Sequence, residues 1–317
     1  MSFPLRRLPR LATHEVIKSM NTREIFLLSL ASENSQNLVM SSIPKNSLSG
    51  DLSVHEEGCS FVLMPASTPE DFLNYTEIIP EFPYIRGKYE NTGFSDCGLY
   101  VQCQFFIKKE EAIRKLFNRF SKLFKKTKMN MKFEDDTREE FAMEMIKFAW
   151  ENGIPLDQVG FHLENASSET IQELLNGCQE HHTSIHIGTK LPEGFKCTPP
   201  PGGYKLKSFA VKDARWVNLD DFLQCREVSL WGGIPNWTME YLNGVFKKIV
   251  NLECRIEKFT LVMRVDEPCD FAQMVKGLSE SEIEQEGLYK KLQFERKDGL
   301  KLLISLNNGY YLKMTTF

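Results

Sequence analysis

Three of the chain's six histidines, His181, His182 and His186, fall in the stretch HHTSIH, and His162 lies about one strand earlier. Imidazoles at close spacing raise two chemistries, metal binding and general acid-base work. Zinc needs three or four converging ligands held by a second shell. The spacing here crosses from the end of a helix into a strand. We read His181 and His182 as residues favoured at a helix C-terminus, and His186 and His162 as outward strand residues. Cys178 beside them reads as helix core. Other catalytic signatures are missing from the sequence: it holds no G-x-S-x-G elbow, no G-x-x-x-x-G-K-[ST] loop, no H-E-x-x-H and no G-x-G-x-x-G opening a helix. The expectation is a protein that is not an enzyme, with no catalytic residue, no metal and no cofactor. The rival to that expectation is an enzyme whose pocket lies at His162 and His186.

A second chemistry sits in residues 108–132. Lys108, Lys109, Arg114, Lys115, Arg119, Lys122, Lys125, Lys126, Lys128 and Lys132 stand there against Glu110 and Glu111. A basic amphipathic helix can seat on acidic lipid or on a phosphate backbone. The basic side carries no interleaved aromatic residues, so a solvated helix face is expected. The whole chain balances 39 Lys+Arg against 43 Asp+Glu for a net charge of −4, so no global field favours nucleic acid or membrane. PPPGGY at 199–204 lacks the repeated proline spacing of an SH3 or WW ligand and reads as a loop. Trp216, Trp231 and Trp237 read as core, with anchoring of a recognised protein as the alternative.

The eight cysteines include no C-x-x-C pair. They read as reduced thiols of a cytoplasmic or nuclear protein. Pro4, Pro9, His14 and Glu15 interrupt any secretory h-region, and the uncharged run from Ile25 to Ala31 is far below the ~20 residues a membrane span needs.

The elements that must position these residues follow from periodicity. At 317 residues the chain is long enough for one large domain or two. Pro9 suits a first helical position, and Ala12, Val16, Ile17 and Met20 form an apolar face. A second helix follows Asn21, with Glu24 able to complete a capping box. Its Ile25, Phe26, Leu27, Leu28, Leu30 and Ala31 are apolar on nearly every side. Two apolar faces need two partners: one inside the segment, the other in the rest of the chain or in another protein. SSIPKNSLSG then marks a boundary near residue 45.

Beyond it, a hairpin is expected around Glu57 and Gly58, a strand at YVQCQFFI and a helix near 109–125. The next helix is expected to begin at Thr137 with Glu140 as capping box and to stop at Gly153. From 157 onward, strands VGFHLE, TSIHIG, REVSLW and EKFTLVM alternate with helices near 168–178, 219–225, 238–250 and 270–276. LENASSETIQELLNG from Leu163 and LWGGIPNWTMEYLNG from Leu230 align without gaps. Recurring strand-helix units suggest a leucine-rich-repeat-like layer whose sheet presents one face outward. Asp298-Gly299 and Asn308-Gly309 signal a closing antiparallel meander. The expected class is α+β or α/β: a helical N-terminal module, then a strand-helix body with β-hairpins at its ends.

Two stretches carry a family resemblance. FPLRRLP, then Val16, Ile17 and Met20, then REIFLLSLAS and Leu38-Val39 resemble an F-box, in the spelling of large nematode families. Leu11 and Glu15 depart from the F-box pattern, in which a Glu commonly stands two residues after Leu-Pro, and so do Asn37 and Leu38, near where many F-boxes carry a Trp. WVNLDDFLQCREVSL followed by NWTMEYLNGVFKKIVNLECRIEKFTLVMR, about residues 205–276, resembles the F-box-associated type 2 domain. The resemblance implies an F-box at 1–45 and a substrate-binding domain at 46–317. It implies docking on a SKP-family adaptor of a cullin-RING ubiquitin ligase through Pro4, Leu5, Leu8, Pro9, Val16, Ile17, Met20, Ile25, Leu27, Leu28 and Leu30. An unidentified protein substrate would then lie on outward strand positions such as His162, His186, Ser229, Trp231 and Thr260.

Overall fold

The computed structural model describes residues 8–20, 22–43, 48–55, 58–65, 91–95, 98–104, 109–123, 127–178, 183–232, 238–263 and 269–316. The chain divides into two compact units, Met1–Asp157 and Gln158–Phe317, both of mixed helix and strand.

The first unit opens with helices α1 (Arg10–Ser19), α2 (Thr22–Ala31) and α3 (Glu33–Ser42). Pro9 caps α1 rather than starting it, because its ψ of 146° is extended. Asn21, expected to cap α2, lies outside the described residues. Ser32 caps α3 by accepting a hydrogen bond from the Ser35 amide at 3.1 Å. Helix α3 packs on both α1 and α2, and α2 also lies against strands β2 (Gly58–Pro65) and β4 (Gly98–Gln104). The residue-45 boundary therefore falls inside the first unit, next to β1 (Leu48–His55). Strand β1 pairs antiparallel with β2, with His55 facing Gly58 as the expected hairpin requires, and parallel with β5 (Lys128–Phe133). Strand β4 lies between β2 and β3 (Asn91–Ser95).

Helices α4 (Lys109–Leu123) and α5 (Glu139–Glu151) complete this unit. Helix α5 begins two residues after Thr137, capped by Arg138 without a side-chain bond, so the expected capping box does not form. The reason is local: the Thr137 amide is spent on a turn to the Glu134 carbonyl, and its hydroxyl is enclosed with no partner among the described residues. Arg114 grips Glu144 at 2.5 and 2.7 Å and Lys115 reaches Glu111 at 2.7 Å. Arg138 pairs with Glu110. Several charges of the basic stretch are thus matched within the chain.

The second unit is built on β6 (Leu156–Phe161, straddling the division), β7 (Ser184–Ile187), β8 (Ser208–Val211), β9 (Glu227–Leu230) and β10 (Lys258–Val262), paired in chain order and all parallel. Strands β14 (Tyr311–Thr316), β13 (Lys301–Asn307), β12 (Tyr289–Glu295) and β11 (Glu284–Glu286) extend it antiparallel from β10. Asn308 and Gly309 both take positive φ, 52° and 77°, as the expected Asn-Gly turn demands.

Crossovers between adjacent parallel strands are right-handed in nearly all proteins, so strands added always in one direction carry their crossovers on one face. Here that face is Val159, Phe161, Ile185, Ile187, Phe209, Val211, Val228, Leu230, Phe259 and Leu261, all enclosed. Phe209 stacks on Phe222 at 4.0 Å and meets Trp216, from the 3-10 turns Leu219–Phe222 and Ala214–Trp216. Phe246 of α7 (Met239–Val250) meets Phe259 edge-on at 5.9 Å. Helix α6 (Ser168–Cys178) joins the layer where Gln172 bonds the Tyr204 hydroxyl, and α8 (Phe271–Met274) where Asn243 bonds the Met274 and Lys276 carbonyls.

The gapless alignment of residues 163–177 with 230–244 does not correspond to a structural repeat. Gly177 is the next-to-last residue of α6, whereas Gly244 sits in the middle of α7 with six residues of helix still to come. The Asn preceding that glycine differs too: Asn243 is buried and hydrogen-bonded to the segment after α8, whereas Asn176 is exposed.

Candidate functional site

Three surfaces are candidates. The first is α1 with its neighbours. Ile17 is fully enclosed and Ile25 nearly so, while Leu8, Val16, Met20 and Leu28 are half-buried and Pro9 is exposed. Pro4 and Leu5 lie outside the described residues, as do the side chains of Leu27 and Leu30. Leu11, which the sequence reading treated as a departure, is 76% exposed. Much of the contact inside this helical cluster is small and polar: Thr13, Ser29, Ser35 and Ser42 are buried. Thr13 Oγ1 donates to the Pro9 carbonyl and Ser42 Oγ to the Leu38 carbonyl, so their hydroxyls are satisfied by their own helices.

The second surface is the other face of the parallel sheet. His186, Ala210, Ser229 and Thr260 form one rung across β7 to β10, all half-buried. His162 and Trp231 each stand one residue past the end of a strand, on the same side by alternation. The His162 and His186 rings meet edge-on at 4.5 Å, and Trp231 lies 6.1 Å from His186. Gly188 makes this possible, because a Cβ there would come within 2.2 Å of His162 Nδ1. The five outward positions read from the sequence thus share one face. His181, His182 and Trp237 lie outside the described residues, and among those described no three His, Cys, Asp or Glu side chains converge to hold a metal.

The third surface is a groove of about 1000 Å³ where β7 and β8 end, lined by 191–197, Asp213, 215–218, Asp221 and Tyr241. In open α/β sheets the carboxyl ends of the strands are where ligands sit. Asp213 accepts from Arg215 Nε at 2.8 Å and is held below the ordinary carboxylate value by that bond. Asp220 is pushed up by burial, but Lys248 at 2.8 Å and the Tyr241 hydroxyl at 2.9 Å outweigh it and leave the carboxyl below its ordinary value. Its neighbour Asp221 behaves oppositely. Burial raises its pKa, and the bonds from Asn218 Nδ2 at 3.2 Å and Cys197 Sγ at 3.8 Å offset this only in part. Burial and Asp221 push the Cys197 thiol up to about 11, and burial takes Cys178 and Cys225 to about 12, so none of the three is a ready nucleophile.

Sequence reasoning missed the groove. Cys197, Asp221 and Tyr241 come from three separate segments, and no spacing rule joins them. The usable signal was two adjacent acids, Asp220 and Asp221, close after Trp216.

The chain aligns with a Caenorhabditis elegans protein described as "Skn-1 dependent zygotic transcript 15 protein", 24% identical over 338 aligned positions covering 96% of this chain and 94% of that one. No protein-family model matches the chain, and no solved structure matches it. Among the described residues no helix is long and apolar enough to cross a membrane.

Proposed function

We propose that this chain is the substrate-recognition subunit of an SCF-type cullin-RING E3 ubiquitin ligase. Its F-box-like residues 1–45 dock on a SKP-family adaptor, and the body from residue 46 holds a protein target. The observation that carries this reading is helix α1, which encloses Ile17 yet leaves Leu11 exposed, with Leu8, Val16 and Met20 only half-covered. An exposed leucine beside half-covered apolar neighbours is what a partner's groove would bury. The distant relative aligns from end to end, which fits helices and body inherited as one unit.

In this reading the chain supplies no catalytic residue and works in the cytoplasm or nucleus. Holding a target lysine near an activated thioester makes the encounter effectively intramolecular. The target rests on the half-buried face of the sheet, at His162, His186, Ser229, Trp231 and Thr260.

The test is co-purification with a panel of SKP-family adaptors, using full-length protein, the Leu8→Ala/Pro9→Ala double variant and Leu11→Ser. Binding by the parent and loss in both variants, with unchanged melting, supports the reading. Variants that bind as the parent does, or a parent that binds no adaptor, refute it.

A second reading has its own support. Helix α2 lies against β2 and β4, as a helix belonging to the body's own core would. On that account the chain is an interaction scaffold outside any ligase, and residues 46–317 expressed alone should aggregate or unfold.

A further inference from the structure

We propose that the groove at the ends of β7 and β8 binds the guanidinium of an arginine in an extended segment of a protein target, with Asp221 as its counter-ion and Trp216 and Tyr241 as flat walls. Only the word target rests on the ligase reading; the site itself does not.

The argument begins with which charges in the groove are already matched. Of its carboxylates, Asp213 is bound by Arg215 through Nε and Nη2. Asp220, next to the groove, is bound by Lys248 and Tyr241. Asp221 lines the groove half-buried, and its hydrogen bonds come from an amide and a thiol, both neutral. A partly desolvated carboxylate with neutral donors gains most from a cation brought to it. The remaining acid, Glu193, is exposed and acts on the Arg215 guanidinium, whose pKa it helps to raise.

Three features select the kind of cation. A metal ion wants several hard ligands at once, and among the described residues no such group of three forms. Trp216 and Tyr241, both half-buried, line the groove, with Phe195 buried beside Trp216 at 5.1 Å, and a planar guanidinium stacks on aromatic rings better than a hydrated ammonium. The volume, about 1000 Å³, is at the upper end of small-ligand sites, so it admits a peptide segment and not just one side chain. Trp216 also carries an indole N–H that is enclosed with no acceptor among the described residues. A peptide carbonyl beside the arginine is the class of acceptor it lacks.

The test uses full-length protein and a fluorescein-labelled pentapeptide of glycine and serine with a central arginine, beside versions with citrulline or lysine at the centre. Fluorescence polarisation should show saturable binding of the arginine peptide, weaker binding of lysine, and a loss of about tenfold or more with neutral citrulline. Asp221→Asn, which preserves shape and neutral hydrogen bonding, should lose the same factor on arginine and leave citrulline unchanged. Trp216→Leu should weaken all three, and if it melts early Asp221→Asn alone decides the matter. Equal binding of arginine and citrulline, an Asp221→Asn variant that binds as the parent does, or no saturation by about 1 mM would overturn the site. Displacement by magnesium chloride but not by free arginine overturns it in favour of a metal. Free arginine binding as tightly as the peptide overturns the peptide assignment. The adaptor co-purification is run on the same preparation: adaptor without peptide sinks only the groove, and peptide without adaptor sinks only the ligase.

Discussion

The two faces of the β6–β10 sheet obey different rules although they alternate along the same strands. On β9, Val228 and Leu230 are enclosed, while Ser229 between them and Trp231 after them are half-buried. The enclosed face is aromatic and aliphatic, stacked at 4.0 Å between Phe209 and Phe222. The other face carries His162, His186, Ser229, Thr260 and Trp231, all half-buried, with the His186 ring edge-on to His162 and tilted against Trp231. Parallel sheets usually carry helices on both faces. In this unit the helices and 3-10 turns described above pack on the enclosed one. Stability is therefore expected to be concentrated on the enclosed side, with the half-buried side more tolerant of substitution.

Phe209→Ala is expected to cost the most, about 3–5 kcal/mol, because it removes a fully enclosed ring and leaves a cavity against Phe222 and Trp216. A urea titration showing less than about 1 kcal/mol would break the contrast between the faces. Asn243→Ala comes next, at about 1–3 kcal/mol, since its Nδ2 serves the Met274 and Lys276 carbonyls from within the helical layer. The expected signature is loss of exchange protection after α8 before the sheet itself opens. Gly188→Ala tests the other face. Its Cβ would meet the His162 ring, which can swing away, so the cost is expected near 1 kcal/mol while the His162 and His186 ring proton shifts change clearly. A loss as large as that of Phe209→Ala would mean the outward face is core after all.

The alternation that separates the faces was legible in the sequence, because a strand's side-chain period is two and TSIHIG, REVSLW and EKFTLVM keep it. So were the closing meander, whose Asn308 and Gly309 need positive φ, and helices α4, α6 and α7 to within a few residues. Capping at Thr137 was misread because a turn claimed its amide first. The repeat was misread because a shared N-G tail says nothing about where each helix begins. The buried Thr13, Ser29, Ser35 and Ser42 were invisible to a hydrophobic count, since they fit by being small. The groove was invisible for a different reason: Cys197, Trp216, Asp221 and Tyr241 meet only after three crossovers are laid side by side.

The smallest effects sharpen the comparison most, because Asp220 and Asp221 are neighbours with opposite shifts. Asp220 has a folded pKa below its unfolded value, so it adds stability that is present above the unfolded value near 3.9 and lost as pH falls through the folded one. Asp221 has a folded pKa above its unfolded value. Folding disfavours its charge, so its cost is absent in acid and fully present once pH exceeds the folded value. Asp220→Asn should therefore destabilise at about pH 7 and Asp221→Asn should stabilise, each by less than about 1 kcal/mol because both carboxylates are partly solvated. Both differences should shrink as pH falls toward about 3. Urea midpoints across that range decide it, and shifts of the same sign in both variants would refute the assignment. A saturating arginine peptide should then reverse the order, because a ligand that binds only the folded parent stabilises it and passes Asp221→Asn by. A carboxylate that weakens the free protein and strengthens the complex is placed for binding, and Asp220, bound by its own chain's lysine, is not.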